Sequence, residues 1–144
     1  EMAATGDSVC IVPIAVQQQF LSEERICQVL NKTELTTVCV SKQTVGVLLD
    51  LKAKEKIPKV KNVIMFDQSD EIHLTLATQV GLELFSFSDM INEGVKLMDV
   101  PKEEPNTDSI FYIGITSGTT DEPKMVMLTH LNFISGQVCE DFLG

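Results

Sequence analysis

A chain of 144 residues, 44% of them hydrophobic, is long enough for one hydrophobic core and too short for two sizeable ones. Its 21 acidic against 11 basic residues give a formal net charge of −10 with no basic stripe, which argues against nucleic acid or an anionic membrane surface as a partner. Four cysteines, Cys10, Cys27, Cys39 and Cys139, stand singly in apolar settings without a C-x-x-C pair. They read as buried, reduced thiols rather than disulfides or zinc ligands, which implies an intracellular, reducing compartment.

Glu1 to Gly6 reads as the end of a helix, and Val9 to Val12 as a buried strand ended by Pro13. The charge-free stretch from Ser8 to Ser22 holds Pro13 and three consecutive glutamines, so it cannot supply the roughly 20 apolar residues of a membrane span. Ser22 is an N-cap for a helix with Ile26, Val29 and Leu30 inward and Glu23 and Glu24 at its positive end. Leu35 to Val40 is a second strand, followed by a helix with Val45, Leu48 and Leu49 on one face. Val63 to Phe66 makes a third strand. Asp67, Asp70 and Glu71 supply a turn and helix start before a helix with Ile72, Leu76 and Val80 inward, closed by Gly81. Leu82 to Phe85 is a short strand, Ser88 caps a helix from Asp89 limited by Gly94, and Asp99 to Asp108 is a surface connector. A β-prone run from Ser109 to Ile115, a brief extended run from Met125 to Leu128, and a helix capped by Thr129 with Leu131, Ile134, Val138 and Phe142 on one face complete the chain. The alternation predicts an α/β fold: a mainly parallel sheet covered on both faces, with the Thr116 loop at the carboxyl ends of its strands.

That loop concentrates the chemistry. Thr116, Ser117, Thr119 and Thr120 offer hydroxyl donors, Gly118 lets the backbone turn and come close, and Lys124 adds a mobile positive charge. Together these are the groups that cradle a phosphate, and a polyphosphate is the expected ligand. A Walker A loop is excluded, because its lysine opens a helix, whereas Lys124 follows Pro123 and leads into Met125 and Val126 in extended chain.

The stretch I-T-S-G-T-T-D-E-P-K-M-V, Ile115 to Val126, resembles the phosphate-binding signature of the adenylate-forming (AMP-binding) superfamily, (Y/F)-T-S-G-(S/T)-T-G-x-P-K-G-V. Matches fall at Thr116, Ser117, Gly118, Thr119, Thr120, Pro123, Lys124 and Val126, and M-L-T-H-x-N from Met127 to Asn132 is similar to long-chain fatty acyl-CoA synthetases. Val9 to Ile14, Leu35 to Lys42 and V-G-L-E-L-F-S-F-S-D from Val80 to Asp89 resemble the same family in the same order. The resemblance implies that residues 1–144 are part of an N-terminal adenylation domain, with both ends cut from a longer protein. It further implies ATP, long-chain fatty acid and coenzyme A as substrates of that parent, Mg²⁺ held by a ligand outside this chain, and a place on the cytosolic face of the endoplasmic reticulum or a mitochondrial membrane. Thr116 to Thr120 and Lys124 would hold the ATP phosphates. The chain alone is expected to be inactive, since the family's further motifs and its catalytic lysine would lie beyond Gly144.

Where the family carries glycine this sequence has Asp121 and Met125, and Ile115 replaces an aromatic residue. A carboxylate about 4 Å from a phosphate is repelled by roughly 1 kcal/mol per charge pair in water and about 4 kcal/mol at an effective dielectric of 20. A methionine adds bulk where backbone and phosphate approach. A second reading is therefore a non-catalytic fragment or pseudoenzyme that acts by interaction.

Other polar residues read as structural. His130 is a packed residue of a capped helix, and His73 lies on a solvated helix face without metal-ligand spacing. Met65, Met90, Met125 and Met127 read as core filling.

Overall fold

The computed structural model describes residues 2–3, 9–10, 22–97, 104–116 and 123–143, with side chains described from 22 to 138 within those ranges. The chain divides into two compact units, residues 18–100 and residues 1–17 with 101–144.

The first unit is an αβ alternation. Helix α1 (Glu23–Lys32) starts where expected, the Ser22 hydroxyl accepting from the Arg25 N–H at 3.4 Å. Strand β3 (Thr37–Val40), helix α2 (Val45–Ala53), strand β4 (Asn62–Met65), helix α3 (Glu71–Gln79), strand β5 (Glu83–Ser86) and helix α4 (Phe87–Val95) follow. The three strands form a parallel sheet in the order β3-β4-β5, with Val38 facing Val63 and Val63 facing Leu84. Both crossovers run between adjacent strands in the same direction, and the right-handed rule for such connections puts α2 and α3 on one face. That face is where Val40, Val63 and Met65 are buried, together with Val29, Val45, Leu51, Ile57 and Val60. The opposite face, with Cys39 and Phe85 exposed and Ile64 half-buried, is not covered among the described residues, contrary to the expected two-sided burial.

The ends of α2 and α3 share one device. After α2, the Lys56 N–H reaches the Leu51 carbonyl at 3.0 Å and the Glu55 N–H the Lys52 carbonyl at 2.9 Å. After α3, Leu82 and Gly81 bond Ala77 and Thr78 in the same pattern, at 2.9 and 3.1 Å. Both are Schellman turns, whose pivot needs a left-handed residue. Gly81 takes it at φ 74°, while Glu55 takes it at φ 56° with a side chain attached.

Several expectations shift here. Ser86, not Ser88, caps α4: its hydroxyl accepts from the Asp89 N–H at 3.4 Å and sits 2.6 Å from the Ser88 hydroxyl, because strand runs into helix with no connector. Of α3 only Ala77 is buried; Ile72 and Leu76, expected inward, are exposed, because this helix makes its close approach through the small residue. Cys27 is buried, and burial pushes its thiol pKa up, whereas Cys39 is exposed because its strand position points to the open sheet face.

The second unit is antiparallel. Met2–Ala3, expected to end a helix, is instead strand β1 and pairs with β2 (Val9–Cys10). Two residues carry no readable period, which is why the pairing was not visible. The remainder of the expected strand, residues 11–12, lies outside the described residues. Strands β6 (Ile110–Thr116) and β7 (Lys124–Thr129) form an antiparallel hairpin, and α5 (His130–Leu143) follows directly. The pairing has a bulge: Ile110 faces Thr129 and Tyr112 faces Leu128, so β6 spends an extra residue, Phe111. That ring stands 4.3 Å from Phe133 and 5.2 Å, edge to face, from His130. Thr129 caps α5 as expected: its hydroxyl accepts from the Asn132 N–H at 3.2 Å, while the Asn132 carboxamide oxygen accepts from the Thr129 N–H at 3.0 Å. This is a reciprocal capping box with asparagine in the third helical position. The apolar face of α5 exists, but Leu131, Ile134 and Val138 are exposed, and the side chain of Phe142 is outside the described residues. Glu104 to Asp108 is exposed as the connector reading requires, and the Asn106 side chain folds back to accept from the N–H groups of Asp108 and Ser109 at 3.0 and 2.8 Å.

No helix among the described residues is long and apolar enough to cross a membrane.

Candidate functional site

The hairpin brings together two of the sequence-selected residues. Thr116 ends β6, Lys124 begins β7, and the two face each other as the last pair before the turn. Both are exposed; the Thr116 hydroxyl donates to the Lys124 carbonyl at 3.5 Å, a bond at the limit of length that a better acceptor would displace. Among the described residues Lys124 has no ion-pair partner, so its ammonium group is available to an anion. Ser117, Gly118, Thr119, Thr120 and Asp121 lie outside the described residues, while Pro123 is buried at the foot of the turn. The Thr116 loop was expected at the carboxyl end of the parallel sheet. It instead closes an antiparallel hairpin, because two extended runs seven residues apart pair with each other rather than through a crossover.

Strand alternation sorts the hairpin's side chains into two faces. Thr116, Gly114 and Tyr112 on β6 and Lys124, Val126 and Leu128 opposite them share one face. Ile115, paired with Met125, and Ile113, paired with Met127, take the other. By register Met125 therefore lies on the face opposite the one that carries Thr116 and Lys124. Met65 fills the core as expected, but Met127 and Met90 are exposed. His130 packs against Phe111 as a helix residue, in line with its structural reading.

A second polar cluster lies at the carboxyl ends of β3 and β4. The Lys42 N–H donates to an Asp67 carboxylate oxygen at 2.6 Å, and the Lys42 ammonium lies 2.8 Å from an Asp70 carboxylate oxygen. Asp70 occupies the cap position of α3 without making a side-chain cap bond, because Lys42 holds its carboxylate. The hydrogen bond from Lys42 lowers the Asp70 pKa below the usual carboxylate value and raises that of Lys42 in return. His73, expected on a solvated face, is 20% exposed, with Nδ1 3.8 Å from Asp70. Asp67 and Asp70 thus act as a clasp between two loops. Among the described residues no group of three or more His, Cys, Asp or Glu side chains is placed to hold a metal ion.

Sequence reasoning passed over Tyr112 and Gly114. Counting back from Thr116 in steps of two along the β-prone run would have put them beside it.

The sequence and fold have known counterparts. A family model described as AMP-binding enzyme matches residues 3–142. The chain is 32% identical over 136 residues to long-chain-fatty-acid–CoA ligase 5 of Rattus norvegicus, covering 94% of this chain and 19% of that protein. It is 31% identical over 129 residues to fatty acyl-CoA synthetase B of Dictyostelium discoideum, covering 89% of this chain and 18% of that protein. The chain thus spans about a fifth of the length of these curated relatives. Among solved structures, the adenylation domain of a carboxylate reductase from Mycobacterium chelonae superposes with a TM-score of 0.66 at 21% identity, over 83% of this chain and 20% of that one. The anthranilate CoA ligase AuaEII, in complex with anthranoyl-AMP, gives a TM-score of 0.66 at 14% identity, over 88% of this chain and 22% of that one.

Proposed function

This chain belongs to the AMP-binding enzyme family, and from that premise we propose that the turn between β6 and β7 is the phosphate-binding element of an ATP-dependent long-chain fatty acid–CoA ligase. The observation that carries the reading is the pairing of Thr116 with Lys124 on one face at the turn end of the hairpin. A hydroxyl donor with a weak internal bond and an unpaired ammonium group suit a polyphosphate. Ser117, Gly118, Thr119 and Thr120 complete the set by their place in the sequence.

In the proposed reaction a carboxylate oxygen of the fatty acid bonds to the α-phosphorus of ATP, the bond from that phosphorus to the bridging oxygen breaks, and pyrophosphate leaves. The thiol of coenzyme A, losing its proton, then attacks the acyl carbon, and AMP departs as the thioester forms. This chain's part is to hold and orient the departing phosphates: Lys124 offsets negative charge on the leaving group, and Thr116 donates to a phosphate oxygen. Mg²⁺ would accompany ATP, held by the phosphates and by a ligand outside the described residues.

Thr116 and Lys124 are both exposed to solvent, which screens their charge and competes for their donors, so Mg-ATP should bind this chain no tighter than about millimolar. Calorimetric titration of the chain checks this, and Lys124→Ala should weaken binding about tenfold, or roughly 1.4 kcal/mol. Equal affinity in the variant would remove the phosphate assignment.

A second reading, a non-catalytic protein that works by interaction, draws on Asp121, a negative charge in the phosphate turn. Pyrophosphate release with a long-chain fatty acid, measured on a longer chain carrying the whole enzyme with and without Asp121→Gly, separates the two. Turnover as fast without the change as with it would discard the second reading.

A further inference from the structure

The face that carries Thr116 and Lys124 also carries Tyr112, and the ring is held in a particular posture. A methyl group built on Gly114 would meet Tyr112 Cε1 at 3.2 Å and Cδ1 at 3.9 Å. The ring edge next to the hydroxyl is therefore the nearer one, so the ring lies over Gly114 with its hydroxyl end leading. Gly114 is midway between Tyr112 and Thr116 on the same strand face, about 7 Å from Thr116 at the usual rise of a strand. The hydroxyl is thus carried toward the anion-facing end of the hairpin. It makes no hydrogen bond to any described residue and is not among the buried side-chain oxygens that lack a partner, so it is open to solvent and to a ligand.

We propose that Tyr112 is a ligand-contact residue of this site, its hydroxyl donating to a phosphate oxygen held between Thr116 and Lys124, and that Gly114 is there to let the ring lie down along the strand. The proposal rests on the phosphate-binding reading of the hairpin and adds a donor from outside the loop sequence.

The chain has one tyrosine and no tryptophan, so intrinsic tyrosine emission reports on Tyr112 alone. Sodium tripolyphosphate is a suitable probe, since it carries the phosphates without a light-absorbing base. Its addition should change tyrosine emission along the same curve as its binding followed by phosphorus NMR. Tyr112→Phe should weaken binding at least about fivefold with the urea midpoint unchanged. Gly114→Ala, which pushes the ring aside, should weaken it similarly; if that variant fails to fold, Tyr112→Phe still decides. If Lys124→Ala weakens binding while Tyr112→Phe binds as tightly as the unaltered chain, the role of Tyr112 is overturned and the phosphate reading stands. If tripolyphosphate does not bind, or binds Lys124→Ala equally well, both fall together.

Discussion

The two units of this chain dispose of their apolar side chains in opposite ways. In the parallel unit Val29, Val45, Leu51, Ile57, Val60, Val63 and Met65 are fully buried behind one face of the sheet. In the hairpin unit Val126, Met127, Leu131, Phe133, Ile134 and Val138 are all exposed, and order comes from backbone pairing, a capping box and one aromatic cluster. The first is held by burial, which is non-directional and scales with area; the second by directional bonds, each of modest net worth. The candidate site sits on the second kind of framework. Its geometry is fixed by register, while the larger reserve of stability lies in the unit that carries none of the selected phosphate contacts.

Substitution is the strongest way to break that contrast. Leu51→Ala should cost about 2–5 kcal/mol in urea unfolding, whereas Met127→Ala should stay within about 0.5 kcal/mol. Similar losses for the two would mean that the hairpin is held by burial as well. Next in size is the loss of a cap: Thr129→Ala removes the two hydroxyl bonds to Asn132 while keeping the backbone N–H bond to its carboxamide, and should cost about 1 kcal/mol, visible as lost helicity at the start of α5 by amide exchange. In the parallel unit the sign reverses at Glu55, whose left-handed backbone suits glycine better. Glu55→Gly should raise stability by up to about 1 kcal/mol, and a lower urea midpoint would show that the Glu55 side chain matters more than its strain.

The smallest effect is that of pH on the Lys42–Asp70 clasp. Because the Asp70 pKa is lowered in the folded chain, its stabilisation is fully present above the ordinary carboxylate value of 3.8 and disappears as pH falls through the lower folded value. Lys42, whose pKa is raised, keeps its share below its ordinary 10.5 and gives it up as pH climbs through the higher folded value. The difference in melting temperature between the unaltered chain and Asp70→Asn should therefore be constant at neutral pH, close at strongly acid pH, and shrink with added salt. A difference that persists at strongly acid pH would assign the effect to the Asp67 hydrogen bond or to packing.

The parallel unit was the more legible in sequence, and for a physical reason. A helix with one buried face writes a 3.6-residue period, and caps such as Ser22 and Gly81 punctuate it. The hairpin wrote only two β-prone runs. Nothing in a run of apolar residues tells whether its partner is parallel or antiparallel, so the strand before Thr116 was assigned to the wrong kind of sheet. The loop's chemistry could be read because hydroxyls, glycine and lysine announce an anion whatever the pairing, but the direction of each side chain could not. Met125 shows this best: its identity suggests bulk beside the loop, and only the register places it on the face opposite Thr116 and Lys124. Exposure was misjudged at Ile72, Leu76 and Cys39, since periodicity marks an apolar face without saying what covers it.

The extra residue at Phe111 has a bearing on how this hairpin can vary. It works as an expansion joint between the connector and the five regular pairs from Tyr112–Leu128 to Thr116–Lys124. Losing or gaining a residue on the connector side of that joint alters the slack and the reach to α5, while the pairs beyond keep their phase. The same change inside those pairs would turn over the strand on one side of it, leaving Thr116 and Tyr112 on opposite faces. Length drift among related sequences should accordingly collect before Tyr112 and be absent between it and the turn.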